Sequence, residues 1–221
     1  MKSFKKILIA NRGEIAIRVM RAANEIGKKT VAIYAKEDKL CLHRFKADEA
    51  YQIGEGLGPV AAYLSISEII RVATMSGADA VHPGYGLLSE NPELASACIE
   101  AGITFIGPSP DTMRKLGDKA SARKIAIDAK VPVVPATTVL PDDNKQIEKM
   151  ASQVGYPLML KASWGGGGRG MRPIYNKKEL MAKVLEGRRE AKSAFGNDEA
   201  YLEKLINKAR HVEVQILGDK F

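Results

Sequence analysis

The chain has 221 residues, 34 Lys and Arg against 26 Asp and Glu for a formal net charge of +8, and 45% hydrophobic residues. That length suits one large or two small domains, and the apolar content supports a packed core. No apolar run is long enough to cross a bilayer, and Ile7–Ala10 after the basic start is too short for a signal peptide. The Lys and Arg residues are dispersed through helical patterns, only 6% of residues are aromatic, and no nucleic-acid-binding motif is present, so neither nucleic acid nor membrane is an expected partner. A basic balance equally suits a site for small anions. Cys41 and Cys98 lie far apart without metal-ligand spacing and read as reduced thiols of a cytoplasmic protein.

In chain order, Lys6–Ala10 is a short apolar strand, followed by Asn11-Arg12-Gly13 and a helical pattern. Ile15, Val19, Ala22, Ala23 and Ile26 are expected on its buried face, with Gly27 as the stop. Thr30–Tyr34 is the next strand, so the opening β-α-β predicts a parallel sheet with right-handed crossovers. The first turn reads Ala10-Asn11-Arg12-Gly13-Glu14 rather than GxGxxG, which argues against a dinucleotide site. Ala50–Ile53, Ala78–Val81 and Thr104–Ile106 are further strands, with helices over 66–75, closed by Gly77, and 92–101. The loop His82-Pro83-Gly84-Tyr85-Gly86 follows a strand's carboxyl end, where ligands of open α/β sheets gather; His82 and Tyr85 are equally explained as parts of a rigid turn.

Beyond Pro108 the pattern turns helical (111–116, 119–129), and Val131-Pro132-Val133-Val134-Pro135 looks like a hinge. A helix over 142–154 leads to the strand Pro157–Leu160, which ends on Lys161 and enters Gly165-Gly166-Gly167-Gly168-Arg169-Gly170. Five glycines in six positions lose backbone entropy on ordering and contribute no packing. Bare backbone N–H groups can close around phosphate oxygens where a Cβ would obstruct them, and Lys161 and Arg169 add positive charge at the two ends. A flexible linker would mix glycine with serine, and the P-loop spacing is absent, so the expectation is a hairpin that folds over a nucleotide's phosphates. Asn176 caps a helix over 177–194, with Ala182, Leu185 and Ala191 among its small or apolar positions; Tyr201–Ile206 looks extended. His211–Ile216 alternates polar and apolar residues as a strand does, and with no returning strand the chain reads as an amino-terminal fragment.

Several stretches resemble the biotin carboxylase module of biotin-dependent carboxylases, an ATP-grasp family. They are Ile9–Ala16, His82–Glu90, Phe105–Pro108, Gly117–Lys119, Lys161–Ser163 with the loop 165–172, and Arg210–Glu213. The run His43–Glu49 and the pair Trp164-Gly165 are most similar to the pyruvate carboxylase branch, with the biotin carboxylase subunit of acetyl-CoA carboxylase or a propionyl- or methylcrotonyl-CoA carboxylase α chain as the alternative.

The resemblance implies an α/β fold: an open parallel-sheet, Rossmann-like unit (1–110), a helical linker (111–135), an ATP-grasp lid (136–203) and the first strands of an incomplete lobe (204–221). It also implies a ligase that uses ATP and bicarbonate to carboxylate biotin on a carrier domain, with magnesium, and whose full-length form is a homo-oligomer. By motif, Lys119 and Lys161 would contact the ATP phosphates, Gly167 and Gly168 would donate backbone N–H groups, and Glu203, Lys204, Leu205 and Ile206 would form the adenine hinge. His211 would touch the nucleotide. No catalytic or metal-binding residue of the family is expected in this stretch, so the fragment itself would be inactive. Another ATP-grasp ligase, or a basic RNA-binding module, are the competing classes.

Overall fold

The structure is a computed structural model that describes residues 4–117, 119–163, 171–210 and 212–218, with the backbone alone for 119, 120, 194 and 195. The chain divides into two compact units, residues 1–118 and 119–221.

The first unit is built on a five-stranded parallel sheet in the order β3-β2-β1-β4-β5. The strands are β1 (Lys6–Ile9), β2 (Lys29–Tyr34), β3 (Glu49–Gln52), β4 (Ala80–His82) and β5 (Thr104–Phe105). β1 and β2 are near-continuous apolar runs because both of their faces are covered. Leu8, Val31, Ile33 and Val81 pack with Tyr63, Ile69, Val72, Leu94 and Cys98, which come from α3 (Pro59–Tyr63), α4 (Ile66–Ser76) and α5 (Pro92–Glu100). Ile9 and Ala32 point the other way, against Ala16 and Met20 of α1 (Gly13–Glu25).

The buried stripe of α1 is Ala16, Met20 and Ala23; Ile15 and Val19 are half-buried, while Ala22 and Ile26 are exposed. The expected stripe is therefore rotated toward small residues, which let the helix approach the sheet closely. Ile26 falls beyond the last turn, before Gly27. Two short helices, α2 (Leu42–Lys46) and α3, and a 3₁₀ turn at Lys36–Asp38 have no counterpart in the sequence expectations. None is long enough to display a helical period. A further helix, α6 (Pro110–Gly117), ends the unit.

The second unit begins with α7 (Lys119–Asp128), and α8 (Asn144–Val154) and α9 (Lys177–Phe195) cover one face of an antiparallel sheet in the order β7-β6-β8. Its strands are β6 (Leu158–Ala162), β7 (Arg172–Ile174) and β8 (Ala200–Lys204). Leu158, Leu160, Ile174, Ala200 and Leu202 pack on Ile147 and Ala151 of α8 and on Leu180 and Val184 of α9. Asn176 accepts from the N–H of Lys178 at 3.0 Å and caps α9 as expected. On α9 the buried face runs through Leu180, Val184, Gly187 and Ala191, leaving Ala182 and Leu185 exposed. The segment near Pro135–Leu140 runs beside β8: Thr137 N–H donates to Leu202 O and Leu140 N–H to Ala200 O, both at 2.8 Å.

Of the strand expected over 211–216, the described residues 212–216 form no part. Residues 212–218 carry no regular structure, and Val212, Val214, Ile216 and Leu217 are all exposed. An alternating segment becomes a strand only against a neighbour that satisfies its N–H and C=O groups, and none of the described strands pairs with it.

Candidate functional site

Alternation along β6 and β8 defines a second face of the antiparallel sheet. While Leu158, Leu160, Ala162, Ala200 and Leu202 are buried, Met159, Lys161, Tyr201 and Glu203 are half-buried. The register sets Lys161 opposite Tyr201, and Met159 opposite both Glu203 and Pro173. These residues therefore share one face. Lys161 Nζ and Glu203 Oε1 form an ion pair along its diagonal, with side chains 25% and 21% exposed.

Burial pushes the Tyr201 phenol up; Lys161 opposes that rise, Glu203 adds to it, and Arg123 of α7 opposes it. The face thus combines cationic groups, a carboxylate acceptor and an aromatic and apolar floor. It has the chemistry to hold a flat, donor-bearing group attached to an anion. Arg123 also lines, with Ala136, Thr137, Met150 and Gln153, a cavity of about 400 Å³ beside β8.

The remaining expected site residues fall as follows. Lys204 Nζ donates to Gly155 O at 2.9 Å and Tyr156 O at 2.7 Å, tying the end of β8 to the α8–β6 connection. Leu205 N–H donates to Pro157 O at 3.0 Å, and Ile206 is exposed. Lys119 opens α7 with only its backbone described, and Gly167, Gly168 and His211 lie outside the described residues, as does most of the glycine loop. The structure therefore brings Lys161 and Glu203 together and sets Lys204 and Leu205 directly after them. Tyr201, Met159 and Arg123 were not singled out from sequence. The alternation in 158–162 and 200–204 holds the signal for the first two.

In the first unit, the reversal of strand order between β1 and β4 opens the sheet's carboxyl edge. Buried Asn11 closes that edge, donating from Nδ2 to Pro83 O at 2.7 Å and Tyr85 O at 3.0 Å. Gly84 has φ +65°, and a Cβ there would lie 2.7 Å from Asn11 Nδ2 and Ile15 Cγ2, so the turn admits only glycine. His82 Nδ1 accepts from Gly84 N–H at 2.9 Å, and the Tyr85 hydroxyl donates to Glu14 at 3.1 Å. Nearby, Arg12, Tyr63 and Cys41 all donate to Asp38. Burial would raise the Asp38 carboxyl, but these hydrogen bonds outweigh it and hold the group below its ordinary range. These contacts brace loops and leave few polar atoms open to a ligand. Among the described residues no group of three or more His, Cys, Asp or Glu could hold a metal ion.

The family model for the biotin carboxylase N-terminal domain matches residues 3–113, half of the chain. The chain belongs to the biotin carboxylase family. The model for the carbamoyl-phosphate synthase L chain, ATP binding domain, matches residues 118–221, so the two matches meet where the two units divide. The rat mitochondrial pyruvate carboxylase is 53% identical over 220 residues, which is 100% of this chain and 19% of that protein. A solved structure of Rhizobium etli pyruvate carboxylase with acetyl coenzyme A is 63% identical and superposes with a TM-score of 0.79, covering 92% of this chain and 18% of that one. The biotin carboxylase domain dimer of Hydrogenobacter thermophilus 2-oxoglutarate carboxylase, solved with MgADP, ADP and bicarbonate, is 45% identical with a TM-score of 0.83, over 94% of this chain and 45% of that one. The chain spans about a fifth of the length of the curated relatives it matches. The expected α/β architecture, a parallel-sheet unit followed by part of an ATP-grasp domain, is thus the fold of this family.

Proposed function

We propose that this chain is the amino-terminal part of the biotin carboxylase region of a pyruvate carboxylase. In that role it contributes part of the site where ATP and bicarbonate carboxylate carrier-bound biotin. The carboxyl group would then pass to pyruvate, giving oxaloacetate for anaplerosis and gluconeogenesis. The whole protein would work as a homo-oligomer in the cytoplasm, in keeping with two cysteines outside any disulfide. Support comes from whole-chain identity to pyruvate carboxylases and from the MgADP and bicarbonate bound by the 2-oxoglutarate carboxylase domain.

One observation carries the nucleotide assignment: Lys161 stands on the half-buried face of the second sheet, one residue before the end of β6 and four before Gly165, where the glycine loop begins. A cation at 25% exposure is less screened by water than a surface lysine, so its attraction for phosphate is stronger. Tyr201, Met159 and Pro173 offer a platform beside it for a base or sugar, and Arg123 adds charge. Lys119, Gly167, Gly168 and His211 belong to the same proposed site by motif, with the hinge Glu203–Ile206. ATP would supply the phosphoryl group that activates bicarbonate; these residues would bind and orient it. Among the described residues no group of three or more His, Cys, Asp or Glu stands at the site, and no step is assigned to magnesium.

Calorimetric titration of ATP into the wild-type chain and Lys161→Ala tests this. A charge-assisted contact to phosphate is worth roughly 1.5–3 kcal/mol, so the substitution is expected to weaken binding about 10- to 100-fold. Unchanged affinity in the variant would remove Lys161 from the site.

A further inference from the structure

We infer that the cavity beside β8 is a binding site for a small monocarboxylate with an aliphatic body, held by Arg123 and the outer edge of the segment 135–138. The inference stands apart from the nucleotide reading, since Lys161, Tyr201 and Glu203 do not line this cavity.

The end of the sheet sets the site. β8 is its last strand, and the segment from Pro135 to Leu140 runs antiparallel along β8's free side. Ala136 stands opposite Glu203 in an isolated bridge, framed by Thr137 N–H donating to Leu202 O and Lys204 N–H donating to Pro135 O, both at 2.8 Å. In a pair of that kind the N–H and C=O of the central residue point away from the neighbouring strand. Among the described residues no acceptor meets the Ala136 N–H, although Ala136 is half-buried. A backbone donor withdrawn from water is costly to leave unpaired, so this one favours an acceptor supplied from outside.

The cavity lies on that outer flank. The segment 135–138 lines one side, Met150, Gln153 and Val154 of α8 another, and Arg123 of α7 completes it, while no residue of β8 takes part. Its volume of about 400 Å³ falls within the range of small-ligand sites, roughly 300–1,000 Å³. Half-buried Arg123 has no hydrogen bond or ion pair among the described residues, and no lining residue is acidic.

A guanidinium without a counter-ion, the Ala136 N–H, the Thr138 hydroxyl and the Gln153 amide are donors for one oxyanion. The planar fork of arginine matches a carboxylate with two parallel hydrogen bonds. Met150 and Val154, packed against the core, add an apolar wall. One cation balances one negative charge, and the wall rewards a few methylene groups; phosphate would bring excess charge and leave the wall uncovered.

The experiment follows backbone amide resonances of the 221-residue chain during titration with hexanoate, hexanamide and inorganic phosphate at one ionic strength. Hexanoate should shift the Ala136 and Thr138 amides saturably and bind about tenfold more tightly than hexanamide, while phosphate leaves these amides unmoved. Arg123→Gln should cut the preference for hexanoate to about twofold or less, and Lys161→Ala should keep it, whatever becomes of ATP binding. The comparison of three ligands on the wild type is decisive even where a variant fails to fold. Equal binding of hexanoate and hexanamide, phosphate acting as hexanoate does, or shifts centred on Lys161 and Tyr201 instead of Ala136 each overturns the inference and leaves the nucleotide assignment standing.

Discussion

The first unit's β1 and β2 are covered on both sides, while the second unit's β6 and β8 are covered on one. In the parallel sheet, consecutive residues such as Leu8 and Ile9 are both fully buried, and the polar turn His82–Gly86 sits in the loops at the carboxyl edge. Those loops are themselves braced by Asn11 and Asp38. In the antiparallel sheet, every second residue is available, and Lys161, Tyr201 and Glu203 stand side by side without interrupting the core behind them. A sheet with one open face can carry a row of functional side chains on rigid backbone; a doubly covered sheet must carry them on its turns. Lys161 owes its placement to Leu160 and Ala162, which hold the strand from behind.

The sharpest way to break this comparison is to truncate neighbouring strand residues. Leu8→Ala and Ile9→Ala should each destabilise the first unit by about 2–5 kcal/mol, because each leaves a cavity in a different packed layer. Denaturant titration followed by hydrogen exchange at β1 measures both. Tolerance of either substitution, within about 0.5 kcal/mol of wild type, would mean that one face of β1 is not a core face.

The same difference explains what could be seen in the sequence. The strands of the first unit were legible as apolar runs, and Gly27 and Gly77 marked the ends of α1 and α4. The rotation of α1 was not, because apolarity alone ranks Ile26 above Ala16, whereas close packing on the sheet favours the alanine. Asp38 could not be anticipated as a buried hub: its partners Arg12 and Tyr63 are 26 and 25 residues away, and only the fold brings them together. In the second unit, Lys161 and Glu203 were each picked out by family motif, but their pairing depends on the register of β6 against β8, which no local pattern encodes. The alternation at 211–216 was equally clear, yet its described part, 212–216, forms no strand, since pairing is a property of two segments.

Acidity should separate the units next. His43 is fully buried in the first unit; Nε2 meets Ile33 O at 3.2 Å, which assigns the proton there, and Nδ1 has no partner among the described residues. Burial lowers its pKa, the contact with Ile33 and the charge of Asp38 oppose this, and Arg12 adds to it. His82 is also lowered by burial. With folded values below the ordinary 6.5, the unfolded chain takes up protons first, so stability is complete above about pH 6.5 and declines as pH falls through that value. The decline should approach about 1.4 kcal/mol per pH unit for each histidine. His43→Gln keeps an N–H for Ile33 but cannot titrate in this range, so it should remove roughly half of the slope between pH 6.5 and 5. An unaltered slope would assign the acid sensitivity elsewhere.

The smallest effect is expected on the open face. Met159→Ala removes a half-buried side chain opposite Glu203 and Pro173, whereas Leu160→Ala empties a site packed between α8 and α9. The first should change stability by about 1 kcal/mol or less and the second by about 2–5 kcal/mol. Adjacent residues of one strand would then differ severalfold, in contrast to Leu8 and Ile9. The informative result is a large loss in Met159→Ala. It would show that β6 is packed on both sides like β1, leaving Lys161 and Glu203 no open face on which to meet a ligand.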